Sequence, residues 1–290
     1  MKIPMPEVRH DQAGFEALVG FWTTVKACFL DEIELSLAAA NWFDADMCAP
    51  FGALLYALGD NLNSVGLTDL RPDVESVLAK NGFLSSYGRN RLPDQWGTTL
   101  HYKRFEPKDD RYFASYIEEE LMHRAELPDI SFGLLKKLSE SIFEIFSNSV
   151  IHSRTRMGIF ACGQFYPHRR RLNFCVADLG IGIHQNVVET TGLDLDAAEA
   201  IMWATDGRNT TRRGSIPGGL GLKLLVQFID LNGGLVQIVS DRGYWRRERR
   251  ETYTAQLHHA YPGTVVCIEI NTADKQSYVL SSEQTESDIF

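Results

Sequence analysis

From Ile33 to Leu37 apolar and polar residues alternate, the two-residue period of a strand with one buried face. Met47 to Leu58 is an apolar run without alternation and has the length of a buried helix. Asn63 to Leu67 reads as a second strand. Val74, Val77 and Leu78 recur at helical spacing between Asp73 and Lys80, and Asn81-Gly82 supplies residues that tolerate positive φ at a helix end. Strand, helix, strand and helix in succession predict a small α/β domain over residues 1–86. Tyr87 to Tyr112 is rich in Gly, Arg, Asn, Asp and Pro and poor in aliphatic clusters, which predicts a connector over residues 87–126.

Beyond the connector, Pro128 to Ser131 offers a helix start. Leu134, Leu135, Leu138, Ile142, Ile145 and Phe146 then mark a long amphipathic helix from Phe132 to Ile151. Met157 to Phe165 and Leu172 to Ala177 read as strands, and Asp194 to Ala204 as a helix. Leu220 to Leu231 is a helix opened by glycines and closed by Asn232-Gly233-Gly234. Leu235 to Ser240 and Thr264 to Asn271 read as closing strands. Helices and strands are mixed without strict alternation, so residues 127–272 predict an α+β sandwich rather than a doubly wound sheet. Residues 273–290 are polar and acidic and predict a loose tail.

The formal net charge of -9 removes any general attraction to nucleic acid or anionic lipid. The runs Arg169–Arg171 and Arg246–Arg250 read as solvated loops or strand ends, so no nucleic-acid partner is expected. The five cysteines show no CxxC spacing and predict buried, reduced thiols. No apolar run reaches the ~18 residues of a bilayer span. No signal-peptide core follows Met1, so the expectation is a cytoplasmic protein without a membrane partner.

Three clusters carry candidate chemistry. Glu144, Asn148 and His152 are spaced by four on the long helix and form one polar stripe beside its core face. Asp178-Leu179-Gly180-Ile181-Gly182 puts an aspartate at a strand end before alternating glycines, a pattern that suits close backbone approach. Gly218-Gly219-Leu220-Gly221 opens a helix, where free N–H groups and the helix dipole attract anions. The spacings GxxxxGK[ST] and GxGxxG are absent there, so neither a P-loop nor a dinucleotide site is read.

In this order, with Gly263-Thr264 opening the last strand, the clusters resemble the N, G1 and G2 boxes of the GHKL ATPases, which include histidine kinases, anti-sigma-factor kinases, Hsp90, gyrase and MutL. The resemblance covers residues 127–272 and implies a mixed sheet with helices on one face. It implies ATP and Mg²⁺ as ligands. Asn148 would ligate Mg²⁺, an oxygen-seeking ion. Asp178 would accept the adenine amino group with Thr264 in support, and Gly180 and Gly182 would let the chain pass under the nucleotide. Gly219, Leu220 and Gly221 would wrap the phosphates, and Glu144 would be the general base. The segment from His184 to Pro217 would be the ATP lid, with Arg212 or Arg213 pairing with the γ-phosphate and Lys223 near the phosphates. Pro217 departs from the pattern, since many members carry glycine there, and it removes one N–H donor. No phosphoacceptor-type histidine helix precedes the ATP domain, because His123 is followed almost at once by Pro128.

Ile33 to Leu84 resembles the STAS domains of anti-anti-sigma factors, through Glu34–Leu37, Trp42–Asp46 and Val65–Leu67. Where signalling members carry a phosphorylated serine, this chain has Asp44-Ala45-Asp46, so the resemblance implies a lost phosphorylation switch with Asp46 as a permanent charge. Together the resemblances imply an ATP-dependent switch or slow ATPase working on a regulatory protein partner, with a homodimer left open. A protein serine kinase and a nucleotide sensor without turnover are the alternatives.

Overall fold

The computed structural model describes residues 1–206, 209 and 220–283, without the side chains of Leu220 and Gly221. The first half contains β1 (Lys2–Pro4), α1 (Gln12–Val25), β2 (Glu32–Ser36), α2 (Cys48–Asp60), β3 (Ser64–Thr68) and α3 (Pro72–Lys80). The three strands form a parallel sheet in the order β1-β2-β3, with Ile33 opposite Val65. The Asp11 side chain caps α1 by accepting the Gly14 N–H, and α1 buries Phe15, Leu18, Val19, Phe21 and Val25. Pro72 sits in the first turn of α3, and Gly82, at φ 84°, follows its end.

The second half contains β4 (Thr99–Phe105), α4 (Asp110–Ile117), β5 (Asp129–Ile130), α5 (Phe132–His152), β6 (Ile159–Tyr166) and β7 (Arg171–Asp178). It continues with α6 (Gly182–Thr191), α7 (Ala197–Thr205), α8 (Leu220–Asn232), β8 (Leu235–Glu248), β9 (Glu251–Asn271) and β10 (Ser277–Tyr278). Five strands form one sheet in the order β4-β6-β7-β9-β8. Every neighbouring pair in it is antiparallel, which corrects the expected mixed sheet. For two of the pairs, β6–β7 and β8–β9, the reason is a short connection. β6 turns into β7 through Pro167–Arg170, and β8 turns into β9 through Arg249 and Arg250, both at positive φ.

The whole is α+β, and both faces of the large sheet are buried. Ile159, Ala161, Leu172, Phe174, Val176, Ile238, Val266 and Ile268 pack with α5 and α8. The alternate positions Phe160, Cys162, Cys175, Ala177, Val239, Val265 and Cys267 pack with α1 and α2. Within residues 127–272 the helices α5, α6, α7 and α8 lie on one face of the sheet, and α1 and α2 of the first half cover the other. Strands buried on both sides read as near-continuous apolar runs, and such runs do not reveal what covers each side.

Other expectations also change. Residues 87–126 are not only a connector, because β4 pairs with β6 at the sheet edge, and Phe105 meets Phe113 of α4 edge-on at 5.2 Å. The described part of the tail, residues 273–283, is anchored: β10 pairs with β5, Tyr278 is buried, and Glu283 accepts from Ser131 Oγ at 2.5 Å and from the Gly133 N–H at 3.0 Å at the start of α5. Cys175 and Cys267, 92 residues apart, form a disulfide, where reduced thiols were expected. The register of β7 on β9 sets them directly opposite one another. Cys28, Cys48 and Cys162 are free thiols.

Asp44 and Asp46 are buried. Asp44 accepts Trp42 Nε1–H at 2.7 Å and the His10 N–H at 2.8 Å, while Asp46 lies 2.5 Å from His10 Nδ1. Burial alone disfavours the charged imidazole, but the neighbouring Asp46 carboxylate outweighs it and raises the His10 pKa. Among the described residues, no helix is long and apolar enough to cross a membrane.

Candidate functional site

A cleft enclosing about 930 Å³, its open mouth included, lies between α5, α6, α7 and α8 on the sheet face away from α1 and α2. One face of α5 lines it with Ser141, Glu144, Ile145, Asn148, Ser149 and His152, spaced by three and four as a single helical stripe requires. The polar stripe legible in the sequence thus faces the cleft. Ile183, Val187, Trp203, Leu222, Ile238 and Val266 give it apolar walls.

At the base stands Asp178, the last residue of β7, paired across the sheet with Thr264 of β9. Both line the cleft. Asp178 is 1% exposed, and burial pushes its pKa up to about 7, against the pull of the Ser149 and Ser153 hydroxyls and the Thr264 backbone N–H. Its Oδ1 is buried and has no hydrogen-bond partner among the described residues. A buried acceptor left open costs free energy unless a ligand fills it, and perturbed carboxyls of this kind concentrate at functional sites.

The turn after Asp178 is built by close packing. Gly182 sits at φ 74°, and a Cβ there would come within 2.8 Å of Ser240 Oγ. Ser240 accepts the Ile183 N–H at 2.7 Å, donates to the Gly263 carbonyl at 3.0 Å and lies 3.1 Å from Thr264 Oγ1, so it ties the start of α6 to β9. A Cβ on Gly180 would lie 2.1 Å from the Ser153 carbonyl oxygen. Gly180 therefore permits the approach of the α5 end, and Gly182 lines the cleft.

Lys223 is exposed on α8. Leu220 and Gly221 open α8, with their side chains undescribed, and Gly219, Arg212 and Arg213 lie outside the described residues. The segment expected as a lid is not one long loop, since α6 and α7 occupy most of its first part. A capping box at Asp196 and Glu199, visible as a D-x-x-E pattern, fixes the start of α7. Trp203 and Asn186 line the cleft and were missed. Asn186 lies four residues after Gly182 on α6, a spacing that marks it once α6 is recognised. Ser240 was read only as a strand end, and no local signal pointed to its contacts.

The site fits the ligands implied by the resemblance. The open Asp178 Oδ1 is an acceptor for an amino group, the apolar walls suit a flat heterocycle, and Glu144 and Asn148 offer oxygen donors on one helix face, as Mg²⁺ prefers. No protein-family model matches the chain, and no curated protein matches it.

Proposed function

We propose that the cleft binds ATP with Mg²⁺ and that the protein is a nucleotide-dependent switch or slow ATPase of the GHKL kind. The observation that carries this reading is Asp178 Oδ1, an unpartnered carboxylate oxygen buried at the base of a largely apolar cleft. The ionised carboxylate accepts the adenine amino group, and Thr264 supports it from the adjoining strand. Asn148 and Glu144, one turn apart on α5, both line the cleft: the Asn148 amide oxygen would hold Mg²⁺, and Glu144 would orient a water and take its proton. Bound nucleotide supplies a phosphoanhydride whose hydrolysis or occupancy sets the state of the protein.

Calorimetric titration of the full chain with Mg-ADP, in wild type and Asp178→Asn, tests the reading. Saturable 1:1 binding that disappears in Asp178→Asn supports it. No binding by wild type, or equal binding by both proteins, overturns it. Steady phosphate release then marks an ATPase, phosphate transfer to a second protein marks a kinase, and tight binding with neither marks a sensor.

A further inference from the structure

On the opposite face of the large sheet, four buried side chains converge where α1 and α2 meet β7 and β9. His10 precedes the N-cap of α1, Asp46 lies in the 3-10 turn that enters α2, and Cys175 and Cys267 are the facing residues of β7 and β9. One ligand atom from each lies within 4.8 Å of the other three. His10 Nε2 and Asp46 Oδ1 are buried without hydrogen-bond partners among the described residues.

The disulfide leaves this arrangement unexplained. Cys175 Sγ lies 3.1 Å from Asp46 Oδ2, but a disulfide sulfur has no proton to donate to a carboxylate. The buried His10–Asp46 pair therefore abuts a sulfur that gives it nothing, where the two halves meet. Two thiolates, an imidazole and a carboxylate are instead a complete tetrahedral ligand set for a borderline-soft cation. Ligand atoms around Zn²⁺ are about 3.3–3.8 Å apart, given bonds of about 2.0–2.3 Å. Cys175 Sγ and Asp46 Oδ2, 3.1 Å apart, are already close to that spacing, while His10 Nδ1 and Asp46 Oδ2, 2.5 Å apart, must open slightly and the two sulfurs must separate. The facing cysteines have Cα atoms 4.1 Å apart, so side-chain rotation about each Cα–Cβ bond provides the movement without breaking the strand pairing.

We propose that the reduced protein binds one divalent cation of the zinc class through His10, Asp46, Cys175 and Cys267, and that the disulfide is the metal-free form of the same site. A dithiol reduces the disulfide, giving two protein thiols and leaving as its own disulfide. The cation then displaces one proton from each thiol, and one more from His10 when the imidazole is charged. This ties the first half of the chain to the sheet independently of the nucleotide cleft, because the ligands come from both halves.

The test is Co²⁺ titration of the full chain, reduced with a dithiol and desalted under inert gas. One equivalent should produce a thiolate-to-metal charge-transfer band, and Zn²⁺ should bleach it. The oxidised protein should show no band. Cys267→Ser and His10→Asn should each weaken binding at least tenfold, and Cys162→Ser, one strand further along, should leave it unchanged. Zn²⁺ should also raise the melting temperature of the reduced wild type, which reports on the site without any substitution. No charge-transfer band in the reduced wild type overturns the proposal, whether or not that protein stays folded. So does a band that survives in the Cys175→Ser, Cys267→Ser double variant.

Discussion

Asp178 combines a sequence-legible position with a property only burial creates. Its folded pKa of about 7 lies above the ordinary 3.8, so between those values the folded state holds a proton that the unfolded state has released. The associated stability is present at low pH and is lost as pH rises through about 7. Asp178→Asn should therefore flatten the dependence of melting temperature on pH and raise the melting temperature of the nucleotide-free protein at pH of about 8, by roughly 2 °C per kcal/mol of relieved charge burial. Thermal scans from acid to neutral pH check this, and a steeper profile in the variant would contradict it. The same variant should lose the stabilisation by Mg-ADP, about 2.7 kcal/mol in wild type at a hundredfold excess over Kd. Nucleotide affinity in wild type should rise with pH across this range, because the ionised carboxylate is the better acceptor. Glu144→Gln should keep binding and lose phosphate release, since an amide takes no proton. Asn148→Ala should weaken only the part of the affinity that depends on Mg²⁺. Hydrolysis at the wild-type rate in Glu144→Gln would assign the base elsewhere.

Among the elements, α5 and the β8–β9 hairpin show how charges classed as solvated become structural. The arginine run at Arg246–Arg250 was read as a loop or strand end, yet Arg247 reaches Asp230 of α8 through Nε at 3.0 Å and Nη2 at 2.8 Å. The Arg250 N–H adds a third contact to the same carboxylate. Both side chains are partly buried, so solvent screens the pair less than a fully exposed one. Asp230→Ala should cost about 1–3 kcal/mol, measured by denaturant unfolding. A loss near zero would make the pair an ornament of the surface. At the start of α5, Glu283 accepts from two donors, and removing residues 273–290 should destabilise the chain by about 1–2 kcal/mol through the lost cap and the lost β5–β10 pairing. The acidic composition of this segment concealed the anchor, because one buried Tyr278 and one capping Glu283 barely alter its average polarity.

For the whole molecule, the shared core outweighs the modular pattern. Phe160, Val239 and Val265 of the sheet lie in one cluster with Phe15, Leu18 and Phe51 of the first half. A chain fragment of residues 127–290 would expose that face and lose β4 from the sheet edge. It should fold poorly and aggregate when produced alone, whereas the full chain should unfold in a single transition. Two well-separated transitions in calorimetry, or a soluble and cooperatively folded fragment, would show that the halves are independent.

The sequence by itself determined most of the elements and the lining of one side of the cleft. The period of α5 places Glu144, Asn148 and His152 on one face, and the apolar runs of β6, β7 and α8 fall within a few residues of where they occur. These are local properties, fixed by the spacing of side chains along one element. The tertiary structure alone decided which sheet face the first half covers, that β4 joins the sheet edge, and that Cys175 meets Cys267 beside His10 and Asp46. It also decided that Asp178 loses its water, which moves its titration toward neutrality. Each of these depends on residues distant in sequence meeting through strand register and burial, and a pattern of period two or 3.6 carries no record of the partner.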